Sequence, residues 1–261
     1  MKQFPFLFFV LFSILASAQI SPSPLIISTS PTIDLGSTEN KSILTVVEGF
    51  LQTKNHSETE NEFWLTSDFD KYIYPYHDIH KIEIGRQSVY QPTIMEIIPI
   101  DDLQKLVKIG FLGINSQTEQ SLIRCIYNVI AIKIDGKWKL KRSLEYETRT
   151  WHIHTEKSIT YYIAPGKTLN KEEIQRQSEE IIKVCDFFET NPQHITYYSC
   201  INPKQTFEIK GFDYLPNMYF SKTGGMADFA NTVYSGNNSE YYTHEIVHIY
   251  ALKLFPRIVN F

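Results

Sequence analysis

NVIAIKIDGKWKLKRSL, residues 128–144, is the stretch from which the first half of the fold is read. Two runs rich in Ile, Val and Lys flank Asp135-Gly136, a dipeptide suited to the positive-φ positions of a two-residue hairpin. The period of two then places Ile130, Ile132 and Ile134 on one face of the first strand, and Lys137, Lys139 and Lys141 on one face of the second. Working back from the hairpin, residues 78–84, 93–100, 103–112 and 122–134 are further apolar runs broken by Pro, Gly, Asn and Asp, so a meander of strands is expected. Before them, residues 37–55 carry Ile43, Val47, Phe50 and Leu51 at helical spacing. That amphipathic helix needs a partner for its apolar stripe, and the meander supplies one.

Beyond the hairpin the pattern changes. SITYYIA (158–164) reads as a strand and Pro165-Gly166 as a turn, and Asn170 with Glu173 forms a capping box opening a helix to about Glu189. The stripe Ile174, Ile181, Cys185 and Phe188 gives this helix a buried face, and strands are expected at 194–200 and 206–209. A strand, helix, strand order after a meander defines an α+β chain with a boundary near residue 150.

The chemistry is concentrated in SEYYTHEIVHIYALKLF, residues 239–255. Ser239 is an expected N-cap, and no Gly or Pro follows until Pro256, so one helix of four turns, apolar nearly all round and buried, is predicted. His244 and His248 stand one turn apart, separated by about 40° around the axis, so both imidazoles can reach one ion. Glu245 shares that sector and can reach a water held by the ion, the division of labour expected of two neutral zinc ligands and a general base. Glu240 lies eight residues from His248, about 12 Å along the axis, too far to share the ion. Residues 249–261 contain no Asp, Glu, His or Cys, so a third ligand is expected from a continuation of the chain.

This motif resembles that of the gluzincins, the zinc peptidases that include thermolysin and the gluzincin aminopeptidases, and most closely the peptidase-MA-like proteins of bacteria. Ala251 and Leu254 stand where a metzincin would have Gly and a third His. The resemblance covers about residues 155–261 and implies Zn²⁺, a peptide or protein substrate, and an edge strand that holds the substrate by main-chain bonds. Gly224-Gly225-Met226-Ala227-Asp228 resembles the Gly-x-Met-Glu-Asn segment of the aminopeptidases, which makes Gly225, Met226, Ala227 and Asp228 the implied substrate-binding residues. Ala227 replaces the Glu that holds a substrate amino terminus and Asp228 replaces the Asn, so aminopeptidase specificity is not implied. One helix followed by a meander (37–150) resembles the cystatin-like cone of nuclear-transport-factor-like domains, expected here as an accessory unit. The chain is thus expected to hold the N-terminal part of a gluzincin domain over 151–261. The alternative is a non-catalytic binding protein acting through the cone, with a remnant peptidase part.

Composition narrows the rest. Of 261 residues, 43% are hydrophobic and 21% charged, enough to bury a sizeable core, and a net charge of -4 favours neither nucleic acid nor anionic membranes. Lys2, an apolar run over residues 4–15 and Ala16-Ser17-Ala18 form an expected signal peptide cleaved before Gln19. The product would be secreted or periplasmic, without a membrane span after cleavage. Residues 19–36 are rich in Ser and Pro and read as a linker. Cys125, Cys185 and Cys200 are odd in number, which excludes a full disulfide framework; buried thiols are the expected state, a Cys185–Cys200 bridge the alternative. His152 and His154 alternate on a strand, and Asn40, Asn55 and Asn237 begin N-x-S sequons.

Overall fold

A computed structural model of the chain describes residues 25–83 and 90–255. The signal segment, its cleavage site, the first residues of the linker and the last six residues lie outside the described residues. The first layer is the helix α1 (Thr38–Thr53), opened by Ser37, whose side chain accepts from the Asn40 amide. Its buried stripe of Ile43, Leu44, Val47, Phe50 and Leu51 lies against an antiparallel meander. The meander comprises β2 (Tyr90–Pro99), β3 (Gln104–Ile114), β4 (Ser121–Ile134) and β5 (Lys137–Arg142), preceded by a two-residue strand β1 (Ser28–Thr29) parallel to β2.

Two expectations change here. Residues 25–36 are not a free linker: β1 joins the sheet, and Leu25, Ile27 and Ile33 contribute to its core, because their apolar side chains outweigh the neighbouring Ser and Pro. Residues 78–83 form no strand. The helix α2 (Thr66–Tyr72) is followed by a 3₁₀ turn at His77–Ile79, and buried Ile79 and Ile82 fill space beneath the sheet. The isoleucines of the hairpin do share a face, but they meet the lysines across the ladder, in the pairs Ile130↔Lys141, Ile132↔Lys139 and Ile134↔Lys137. The core face is the other one, built from Cys125, Tyr127, Val129 and Ala131 with Trp138 and Leu140. Asp135 and Gly136 have φ of 50° and 78°, as the tight turn requires.

The second layer contains β6 (His152–Glu156), β7 (Ile159–Ile163), α4 (Lys171–Phe187), β8 (Ile195–Ser199), β10 (Gly225–Asp228) and β11 (Thr232–Ser235), with α6 (Thr243–Leu254) following. Between the sheets run the short helix α3 (Leu144–Glu147), the helix α5 (Pro203–Ile209) and the strand β9 (Phe212–Tyr214). The sheet order is β10-β11-β8-β7-β6, with β7, β8 and β11 parallel in the centre and an antiparallel strand on each edge. Parallel neighbours need a crossover, and α4 provides it between β7 and β8. Residues 203–209 are helical rather than extended, because Asn202 caps the Gln205 amide and Pro203 occupies the first turn. β9 then pairs with β4, so the first sheet takes a strand from beyond the boundary expected near residue 150.

At the coarse level the fold is α+β, with two sheets and six helices among the described residues. One face of the second sheet is covered by α4 and α6 through Ile174, Ile181, Val184, Ile246, Ile249 and Tyr250. Its other face packs through Tyr198 and Tyr234 on Tyr72, Leu144 and Trp151, which joins it to the first unit. No described helix is long and apolar enough to cross a membrane. Cys125, Cys185 and Cys200 are all buried free thiols. Phe50 is fully buried, with its ring 4.8 Å from Trp64 and 5.1 Å from Tyr76. Phe50→Ala is therefore expected to cost about 3–5 kcal/mol in a urea unfolding titration.

Candidate metal centre and edge strand

α6 begins at Thr243, three residues later than its sequence suggests, and Tyr242 caps it without a side-chain bond. The delay has a tertiary cause in two side chains one turn apart on α4. The Glu173 carboxylate accepts from the Ser239 hydroxyl and the Glu240 amide, both at 2.8 Å. Gln177, fully buried, accepts from the Tyr242 amide at 2.7 Å and donates to the Thr243 hydroxyl at 3.1 Å. These contacts hold residues 239–242 outside the helix. Glu240 in turn accepts from the Asn170 amide at 3.1 Å, filling the place that a capping box assigns to Glu173. Its other oxygen meets Lys167 at 3.0 Å and Ser199 at 2.7 Å, so this buried carboxylate is fully occupied away from the histidines.

On α6 the two sides differ. Ile246, Ile249 and Tyr250 are buried against the sheet and α4, and Tyr250 accepts from the Gln193 amide and the Cys185 thiol. His244 is exposed and His248 half-buried. Leu252, Leu254 and Phe255 are also exposed, so the helix is not apolar-buried all round as the sequence suggests; among the described residues only one side has a partner. The histidine side opens to solvent, as access for a metal and a substrate requires.

The ring nitrogens converge. His244 Nε2 and His248 Nε2 are 3.2 Å apart, and the rings stand at 86°. Two nitrogens each 2.0–2.1 Å from one tetrahedral zinc would be ~3.3 Å apart, so the pair fits two corners of a zinc site. Among the described residues no group of three or more His, Cys, Asp or Glu could hold a metal. The donor set here is therefore two imidazoles.

Glu245 points elsewhere. It is 7% exposed, and its Oε2 accepts from the Ala227 amide at 2.7 Å. β10, the edge strand, thus lies directly against the start of α6. Gly225 makes this approach possible: a Cβ there would stand 2.5 Å from the Tyr234 carbonyl oxygen and 2.5 Å from the Tyr242 ring. Tyr242 also stacks towards His244, with ring centres 6.2 Å apart, and burial, then the Glu245 carboxylate, push its phenol above the usual range. Because the Gly236 amide donates to the Gly224 carbonyl and the Ala227 amide turns to Glu245, the two-residue period directs the main-chain groups of Gly225 and Ala227 away from β11.

Of the implied substrate residues, Gly225 and Ala227 thus face α6, whereas Met226 packs on the opposite face with Tyr198 and Tyr234. The Asp228 carboxylate is bound by Lys210 at 2.7 Å and Arg142 at 3.6 Å. Burial raises its pKa, but these two cations prevail and hold it well below the usual carboxylate range. His152 and His154 lie on the far edge strand, β6, away from this centre. Tyr242 and Gln177 had no signal in sequence, and Glu173 was legible only as a helix cap, since their contacts depend on packing across more than sixty positions. No protein-family model, no curated protein and no solved structure matches the chain.

Two outcomes follow from this geometry. Gly225→Ala should lower stability by about 1–3 kcal/mol, read as a fall in Tm, because the added methyl must displace Tyr242 or β10. The stability carried by ionised Asp228 is present above its unfolded pKa of ~3.9 and is lost as pH falls through the lower folded value. Urea titrations between about pH 5 and pH 2 should show stability falling in the wild type and less steeply in Asp228→Asn.

Proposed function

We propose that this protein is an exported, zinc-dependent peptidase in which His244 and His248 hold the metal and Glu245 is the general base. On this reading residues 37–150 are a cystatin-like accessory unit, extended by residues 25–36 and β9, and residues 151–261 are the N-terminal part of a gluzincin-like domain. The observation that carries it is the convergence of the two imidazole nitrogens, 3.2 Å apart on a solvent-open helix side, beside a buried carboxylate. The arrangement of the second sheet supports it too: its antiparallel edge strand lies over the start of the histidine helix, where an extended peptide can align.

Zinc, when bound, would supply a Lewis acid that polarises the peptide carbonyl and makes water a nucleophile at neutral pH. Glu245 would take the proton from the attacking water and return it to the leaving amine. The Ala227 amide restrains that carboxylate by holding its Oε2 at 2.7 Å. The outward main-chain groups of Gly225 and the outward carbonyl of Ala227 would hold the substrate as an added strand, with no amino-terminus pocket at Ala227 and hence no aminopeptidase preference. A third metal donor would have to come from outside the described residues. A ligand-binding role for the first unit has less support, since Trp64, Tyr74, Tyr76, Phe50 and Tyr127 fill the interior that a bound ligand would need.

The test uses the intact protein purified with zinc. Glu245→Gln keeps an acceptor for the Ala227 amide, so zinc content should be retained while peptide hydrolysis falls by roughly 10²–10⁴-fold. Full activity in Glu245→Gln would remove the assigned base. His244→Ala and His248→Ala should each lose the metal, and retention of stoichiometric zinc by both would remove the site.

A further inference from the structure

Four charged side chains meet where the two units join. Lys210 Nζ lies 2.7 Å from Asp228 Oδ2 and 3.0 Å from Asp78 Oδ1. Arg142 Nη2 lies 3.4 Å from Asp78 Oδ2 and 3.6 Å from Asp228 Oδ2. Their side chains are 4–17% exposed, and two positive charges balance two negative ones. Asp78 and Arg142 belong to the first unit, in the 3₁₀ turn and at the end of β5, whereas Lys210 follows α5 and Asp228 ends β10. The cluster is anchored on the first side: the Arg142 amide donates at 2.7 Å to Asp68, which also accepts from the Trp64 indole.

Net stability is a poor explanation for such a cluster. Burying four charges costs desolvation that their attraction at best offsets. Arg142 Nε and the Tyr127 hydroxyl, also buried here, find no partner among the described residues, which adds to that cost. What a buried cluster does provide is a single arrangement, because removing one member leaves an uncompensated charge. The element whose place is specified is β10. Asp228 is the neighbour of Ala227, the residue that hydrogen-bonds Glu245. A second link grips the same end of the strand: Phe229 lies with its ring 5.0 Å from His77, the residue before Asp78, and 6.5 Å from Tyr74.

We propose that Asp78 and Arg142 are positioning residues for Glu245: through Lys210 and Asp228 the first unit sets the place of β10, and β10 orients the carboxylate. The N-terminal unit is then a required part of the candidate site and not a detachable appendage. This inference rests on the reading of Glu245 as the base, but the coupling itself can be measured without catalysis.

The experiment follows amide hydrogen exchange at Ala227 by NMR in the intact protein, with Glu245→Ala as the reference for a released amide. In Asp78→Asn, Ala227 exchange should rise by roughly tenfold or more, while amides of β8 and of the second half of α6 keep their wild-type rates. Equal changes at Ala227 and in β8, or none at Ala227, would overturn the proposal. Should Asp78→Asn not fold, Phe229→Ala at the exposed ring reads the second link, with a smaller rise confined to β10 expected and an unchanged Ala227 rate overturning it. In a peptidase assay, Asp78→Asn should lower kcat with zinc content unchanged and move the acid limb of the pH profile. A rise in Ala227 exchange in a protein that hydrolyses no peptide would keep the coupling and remove the peptidase reading.

Discussion

The bond from the Ala227 amide to Glu245 is the contact on which the candidate site depends. An edge strand normally leaves alternate amides to solvent, and a carboxylate in the first turn of a helix normally faces water or its own helix terminus. Here each satisfies the other. The bond fixes the distance between β10 and α6, buries a glutamate that has no ion pair among the described residues, and leaves His244 and His248 on the open side. It also explains the Gly at 225, since strand and helix could not approach this closely across a side chain.

That contact is held in place from two directions. α4 contributes Glu173 and Gln177, which take the amides of Glu240 and Tyr242 and so determine where α6 starts. The reciprocal contact of Glu240 with the Asn170 amide locks the two helix starts together, and Lys167 compensates its charge. From the other face the sheet rests on the first unit through stacked Tyr198 and Tyr234, whose ring centres are 5.1 Å apart, and through the buried ion cluster. The polar groups in this region are thus arranged to hold geometry; the apolar clusters on either side of the sheet supply the burial that offsets their desolvation.

The two units are less separate than two successive domains. β9 returns to the first sheet after α5, and Gly211, at φ 107°, lets the chain turn tightly past the Asn128 carbonyl oxygen to do so. Lys210 precedes this turn, so the segment that completes the first sheet also carries one charge of the cluster. Fold and candidate site are coupled by the path of the chain.

Much of this was legible in the sequence because it is local. The Asp135-Gly136 turn, the stripe of α1, the Asn170 cap and the one-turn spacing of His244 and His248 each follow from the geometry of a single element. What the tertiary structure decided depends on partners distant in sequence. Residues 206–209 coil although they look strand-like, 28–29 pair with β2 although they look like part of a linker, and α6 starts late because α4 holds the residues before it. The face of β4 that enters the core was likewise decided by which side α1 covers, since Ile130 and Val129 are equally apolar. The physical reason is common to all of these cases: a periodic pattern identifies which residues share a face, but hydrogen bonds and burial are settled by what lies opposite that face.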